Sequence, residues 1–155
     1  MSDVGRIVQL SISKGGVPKR AVERARVTAL GLEGDAHRDL EHHGGPERAV
    51  CLFSLDAIRE LQAEGHPLVP GALGENVTIE GLDWSVVQPS ARLSLGDEVR
   101  LEITSYTAPC LNIRPAFRDG DYSRVSQKRH PGHSRVYARV VTTGTLRRGD
   151  PVRLL

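Results

Sequence analysis

The sequence predicts a mostly β fold, a small barrel with a few short helices and long polar loops. Several stretches alternate apolar and polar residues with the two-residue period of a half-buried strand. Sixteen glycines and nine prolines stand against six aromatic side chains (two Phe, one Trp, three Tyr), a balance that favours short elements joined by turns. A turn–strand unit also occurs twice: "GDEVRL" at 96–101 returns as "GDPVRL" at 149–154, each a Gly-Asp turn feeding a strand. Units of this kind build small barrels.

Taken in order, "RIVQLSI" near the start and "AVCLF" at 49–53 are apolar enough for strands, although their alternation is weak. A helix follows: Ser54 caps it, Asp56 suits its positive end, and Leu55, Ile58 and Leu61 share a face before Gly65 stops it. "EVRLEIT" is the clearest strand, with Val99, Leu101 and Ile103 on one face and Arg100, Glu102 and Thr104 on the other. Pro109 cannot donate to a ladder, so the chain leaves the sheet just before Cys110. A second short helix is expected around "LNIRPAF", limited by Pro115. "RVYARVV" then places Val136, Ala138 and Val140 together. With no linker or low-complexity segment, the 155 residues are expected to form one domain, 1–155.

Composition narrows the function. The net charge of +2 and the scarcity of stacking aromatics argue against nucleic-acid binding. The N-terminus "MSDVGRIVQLSISKGG" lacks the pattern of a secretory signal, and no apolar run reaches membrane-spanning length. Cys51 and Cys110 are the only cysteines, so no disulfide framework is implied and a cytoplasmic, reducing location is expected.

Three segments carry candidate chemistry. "GDAHRDLEHHGGPER", Gly34 to Arg48, packs three histidines, four acids and two arginines into one loop. His37, His42 and His43 beside Asp35 and Asp39 are of types that bind zinc or iron, though their spacing does not match helical metal motifs. The same loop also reads as a polar turn, or as an anion pocket in which Gly44 and Gly45 admit backbone N–H groups beside His43 and Arg48. Cys110, at a sheet mouth and at the start of a short helix, is the candidate reactive thiol; such positions and nearby cations favour the thiolate that attacks, carries a persulfide or binds a soft metal. Cys51, inside an apolar strand, reads as a small buried hydrophobe. From Arg124 to Arg139, five basic residues and two histidines stand without an acid: a solvated face, or a wall attracting a phosphate or carboxylate. In "PGALGENVTIEG", Glu75 and Asn76 orient a ligand or lock a turn.

The ordered set "GLEGDAHRD", "HHGGPERAVCLFS", "PGALGENVTIEGLD", "SLGDEVRLEIT" and "APC", beginning near "GGVPK", resembles the MOSC family, the molybdenum cofactor sulfurase C-terminal domain. The resemblance implies a MOSC-type β-barrel with one functional cysteine, which maps onto Cys110. That thiolate would bind the molybdenum of a pterin cofactor, making Cys110 the metal ligand, or carry sulfur as a persulfide. It implies cofactor-dependent reduction or sulfur transfer, with an anionic substrate or the pterin as ligand and a pyridoxal-phosphate-dependent protein as sulfur donor. Lys14, Gly44, Gly45, Arg48, Glu75, Asn76 and Arg135 are then candidate cofactor contacts, and His37 and His43 join Cys110 as candidate catalytic groups that move protons. The chain departs from the family in having Tyr106, Thr107 and Ala108 where many relatives place an arginine before the Pro-Cys pair; Arg48 or Arg135 is the expected replacement. Two rival readings are a non-catalytic barrel that binds an anionic metabolite, and a histidine-based metallohydrolase.

Overall fold

Each of the two faces of strand "VCLFS" is buried, and that determines how the molecule is layered. The computed structural model describes residues 4–36 and 44–155. Its elements are β1 (Val4–Ile12), β2 (Arg20–Val22), β3 (Arg24–Thr28), β4 (Gly31–Leu32), β5 (Val50–Ser54), α1 (Leu55–Ala63), β6 (Val77–Glu80), β7 (Arg92–Leu95), β8 (Val99–Tyr106), β9 (Val136–Thr142), β10 (Gly144–Arg147) and β11 (Pro151–Leu154). Strands pair in the order β11-β7-β8-β9-β5-β6-β1, and β1 pairs again with β11, which closes a seven-stranded barrel. Closure removes the unpaired edges that an open sheet would expose.

Strand β1 is long enough to serve several partners. Its first residues pair with β11, its middle with β6 across a bulge between Ile7 and Gln9, and its last with β2. The pairing of β5 with β6 is parallel and the other pairings are antiparallel. A small sheet, β10-β3-β4, contributes Val27, Leu32 and Leu146 to the same core as the barrel interior.

The strongest expected strand behaves as its period requires: Val99, Leu101 and Ile103 of β8 are buried and Arg100 is exposed. The weak alternation of β5 also has a cause. Val50 and Leu52 enter the barrel core, whereas Phe53 enters a second apolar cluster outside it, so neither face is left for polar residues. That second cluster is built on α1. Ser54 Oγ accepts the Ala57 N–H (3.1 Å) as the expected cap, and Ala57, Ile58 and Leu61 are buried, with Leu55 half-buried beside them. Residues Leu111–Ala116 form a 3-10 helix, and its Ile113 closes over the same cluster. Pro115 supplies no N–H for a longer α-helical ladder there.

The two echoed Gly-Asp turns meet in space. Gly96 has φ 63° and its N–H bonds the Pro151 carbonyl, while a Cβ on Gly96 would lie 2.7 Å from Asp150 Oδ2. The positive φ favours glycine, and a Cβ there would also displace the Asp150 carboxylate. Among the described residues, no helix is long and apolar enough to cross a membrane.

Because Leu52 is fully buried in the barrel core, Leu52→Ala is expected to lower unfolding free energy by about 2–5 kcal/mol. Urea denaturation of both proteins, followed by circular dichroism, measures the difference.

Candidate functional site

Between the barrel end and the second cluster lies a cavity of about 110 Å³. Its barrel side is formed by Cys51, Asn76, Arg135 and Tyr137, and its apolar side by Val17, Leu73 and Ile113. Cys110, half-buried and with a free thiol, completes the wall.

Cys110 arrives there because β8 ends as Pro109 demands. Beyond Tyr106 one more ladder-like bond forms, from the Thr107 N–H to the Arg135 carbonyl (2.9 Å). The chain then leaves the sheet, and Cys110 caps the 3-10 helix in an extended conformation, with its carbonyl accepting the Ile113 N–H (3.2 Å). The same Thr107 bond anchors the segment carrying Arg135. A second anchor is the Trp84 indole N–H, which donates to the Ser134 carbonyl (2.7 Å).

Arg135 is 4% exposed. Its Nη1 donates to the Leu73 carbonyl (2.7 Å), while Nε and Nη2 are buried with no partner among the described residues. Buried donors of a charged group are ordinarily satisfied, so the pair marks a place for an acceptor that the described residues do not supply.

A buried polar knot also borders the cavity. Lys19 Nζ pairs with Asp35 Oδ1 at 2.7 Å, with the side chains 7% and 1% exposed. Asp35 Oδ1 also accepts the Ser13 N–H, and Asp35 Oδ2 accepts from Asn76 Nδ2 (2.9 Å). Asn76 continues inward: Nδ2 donates to the Ser11 carbonyl and Oδ1 accepts the Cys51 N–H (3.0 Å). Asn76 therefore locks its turn and also lines the cavity.

Burial sets the charge states of the neighbours. It pushes the Cys51 thiol up to about 11, with the Arg135 charge opposing, so Cys51 is a neutral thiol at physiological pH. Burial likewise raises Tyr137, which keeps its hydroxyl protonated. It raises the Glu75 carboxyl toward its neutral form, against the opposing N–H groups of Gly71 and Glu75 and the charge of Arg135. Glu75 accepts from Thr78 Oγ1 (3.2 Å) and does not line the cavity.

Of the residues singled out from the sequence, the structure brings together Cys110, Asn76 and Arg135. Lys14 is exposed and outside the cavity wall; the lysine within it is Lys19, the last residue of "GGVPK". Gly44 and Gly45 have positive φ and lead into the short Pro46–Arg48 helix, and neither lines the cavity. Arg48 is half-buried outside the wall, near enough for its charge to act on Tyr137. His37, His42, His43 and Asp39 lie outside the described residues, and so does the histidine metal reading; among the described residues no three His, Cys, Asp or Glu side chains form a metal-holding group. Cys51 reads from the sequence as a packed hydrophobe, and it is buried, yet it also lines the cavity. Tyr137 escaped notice because the period of β9 assigns Val136 and Ala138 to the core and leaves Tyr137 on the face that the cavity occupies.

The thiols should differ sharply in reactivity. Iodoacetamide treatment of the native protein at about pH 8 is expected to modify Cys110 and spare Cys51, which is buried and stays protonated there. Peptide mass mapping before and after denaturation reads this; labelling of Cys51 in the native state would contradict it.

Comparison with known proteins follows the same lines. A family model for the MOSC domain matches residues 39–153. YflK of Bacillus subtilis (strain 168) is 30% identical over 142 residues, covering 90% of this chain and 63% of YflK. A protein named "Reductase" from Gibberella moniliformis (strain M3125 / FGSC 7600) is 31% identical over 133 residues, 83% of this chain but 23% of that protein. The chain thus spans less than two thirds of the length of either relative. The crystal structure of YiiM from Geobacillus stearothermophilus superposes with a TM-score of 0.75 at 22% identity, covering 97% of this chain and 75% of that one, and so shares the fold. A closed barrel with its thiol-bearing cavity, the matched family model and the relatives agree: this chain belongs to the MOSC domain family.

Proposed function

We propose that the domain carries transferable sulfur on Cys110, and that the cavity seats the anionic reactant from which sulfur is taken or to which it is given. The observation that carries this reading is the buried, unpartnered Nε and Nη2 edge of Arg135 in the wall that also holds the Cys110 thiol. A thiolate attacks a donor sulfur and displaces its leaving group, which leaves a persulfide on Cys110; attack by an acceptor on the outer sulfur returns the thiolate. Arg135 holds the anion and offsets the charge that accumulates as two anions approach. Burial raises the Tyr137 hydroxyl above its ordinary value, so it offers no base to the cavity that its side chain lines. The walls of Val17, Leu73 and Ile113 limit water around the sulfur. A carrier of this kind needs a compartment that keeps thiols reduced, consistent with a cytoplasmic setting.

A second reading is favoured by the relative named as a reductase. The donors present suit the molybdenum end of the pterin cofactor associated with the family: Cys110 would offer a thiolate ligand, and the unpartnered donors of Arg135 a seat for an anionic oxygen. When bound, the cofactor supplies two-electron redox chemistry. The chain's own part would be to orient that group, shield it with the apolar wall and hold its charge at Arg135.

Both readings require Cys110. Freshly purified wild-type protein is expected to carry one extra sulfur atom that reductant removes, or molybdenum in a one-to-one ratio, and Cys110→Ser neither. Intact mass, elemental analysis and circular dichroism check this together. Sulfur or molybdenum retained by a folded Cys110→Ser protein would refute the assignment.

A further inference from the structure

Arg135 uses one nitrogen for the fold and keeps two for something else. The bond from Nη1 to the Leu73 carbonyl pins the guanidinium plane. Nε and Nη2, the two left unpartnered among the described residues, form its side-on edge. Two parallel N–H groups on that edge match two oxygens of one carboxylate, sulfonate or phosphate. The cavity is small, and beyond Arg135 its wall offers the Cys110 thiol, the Lys19 ammonium already paired with Asp35, the amides of Asn76 and Asn112, Cys51 and Tyr137, and aliphatic side chains. A ligand that satisfies Arg135 and also reacts at Cys110 must therefore carry both an oxyanion and a transferable sulfur. Phosphate has no sulfur to give, whereas a thiosulfonate carries its oxygens on the atom next to the sulfur it transfers, the most compact way to bring both into so small a cavity.

We propose that the sulfur donor is a small thiosulfonate-type anion, with thiosulfate the simplest member. Its sulfonate oxygens sit on the Nε and Nη2 edge of Arg135, and its outer sulfur faces Cys110. This rests on the reading of Cys110 as a sulfur carrier and names the donor class for it. In the transfer, the Cys110 thiolate forms a bond to the outer sulfur. The sulfur–sulfur bond of thiosulfate breaks, and its electron pair leaves on sulfite. One thiolate and one dianion become one persulfide anion and one sulfite dianion, with no proton, oxidant or reductant consumed. The difficulty of this step is the approach of two anions, and the wall answers it. The charge of Lys19 is matched by Asp35, whereas Arg135 has no ion-pair partner among the described residues and Glu75 is pushed toward its neutral form.

The experiment takes the reduced, desalted full chain and adds either thiosulfate or inorganic polysulfide, a sulfur donor without oxygen atoms. Sulfite release and intact mass are the readouts. Thiosulfate is expected to release one sulfite per chain and load one sulfur on Cys110. Arg135→Gln and Arg135→Lys, the latter keeping charge without the fork, are expected to slow this roughly ten- to a hundredfold and to slow polysulfide loading less. If either variant fails to fold, competition in the wild-type protein decides: sulfate slows loading from thiosulfate more than loading from polysulfide. Loading by polysulfide alone would overturn the donor class and leave the carrier reading intact. Failure of both donors would sink the carrier reading as well. Equal thiosulfate rates in wild type and folded Arg135 variants, or indifference to sulfate, would overturn the role of Arg135.

Discussion

The hydrogen-bonded knot of Lys19, Asp35 and Asn76 is the constraint on which the site depends. Just before the parallel β5–β6 pairing begins at Leu52 and Val77, the Cys51 N–H has no strand partner and takes Asn76 Oδ1 instead. The Asn76 amide in turn holds the Ser11 carbonyl of β1 and the Asp35 carboxylate, and that carboxylate holds Lys19 and the Ser13 N–H. Three segments far apart in the chain are thus fixed at the rim of the barrel by two side chains. A buried ion pair adds little net stability, but removing one partner strands the other, at about 3–5 kcal/mol. Such a knot specifies an arrangement more than it strengthens one.

Its electrostatic result is asymmetry. Lys19 enters the cavity wall already balanced, so the larger field there comes from Arg135. Cys51, Tyr137 and Glu75 are all moved by burial toward neutral forms, which weakens their opposition to that field. An anion entering this space meets a fixed donor edge in a poorly hydrated setting, where hydrogen bonds to a charged group count for more than they do in water.

Much of the fold was legible, and unevenly so for physical reasons. Strand β8 declares itself because one face meets the core and the other meets solvent, so its period survives in the sequence. β5 does not, because two cores claim its two faces. The site was legible where a backbone event marked it: Pro109 ends the strand and places Cys110 at the cavity. It was not legible for Lys19 against Lys14. Both flank the same glycine pair, and only the packed chain shows which one turns inward to Asp35.

The sequence by itself determined the elements: alternating strands, the capped helix, the Gly-Asp turns, one thiol in a strand and one past a proline. These follow from periodicity and backbone chemistry, which act over a few residues. Only the tertiary structure decided that Arg135 reaches the Leu73 carbonyl 62 positions away, and that Asn76 meets Asp35 across 41. No local period encodes which buried donors remain without acceptors. That depends on every group the closed barrel brings to the same place, and here it leaves one guanidinium edge unpartnered among the described residues, in the wall of a thiol-lined cavity.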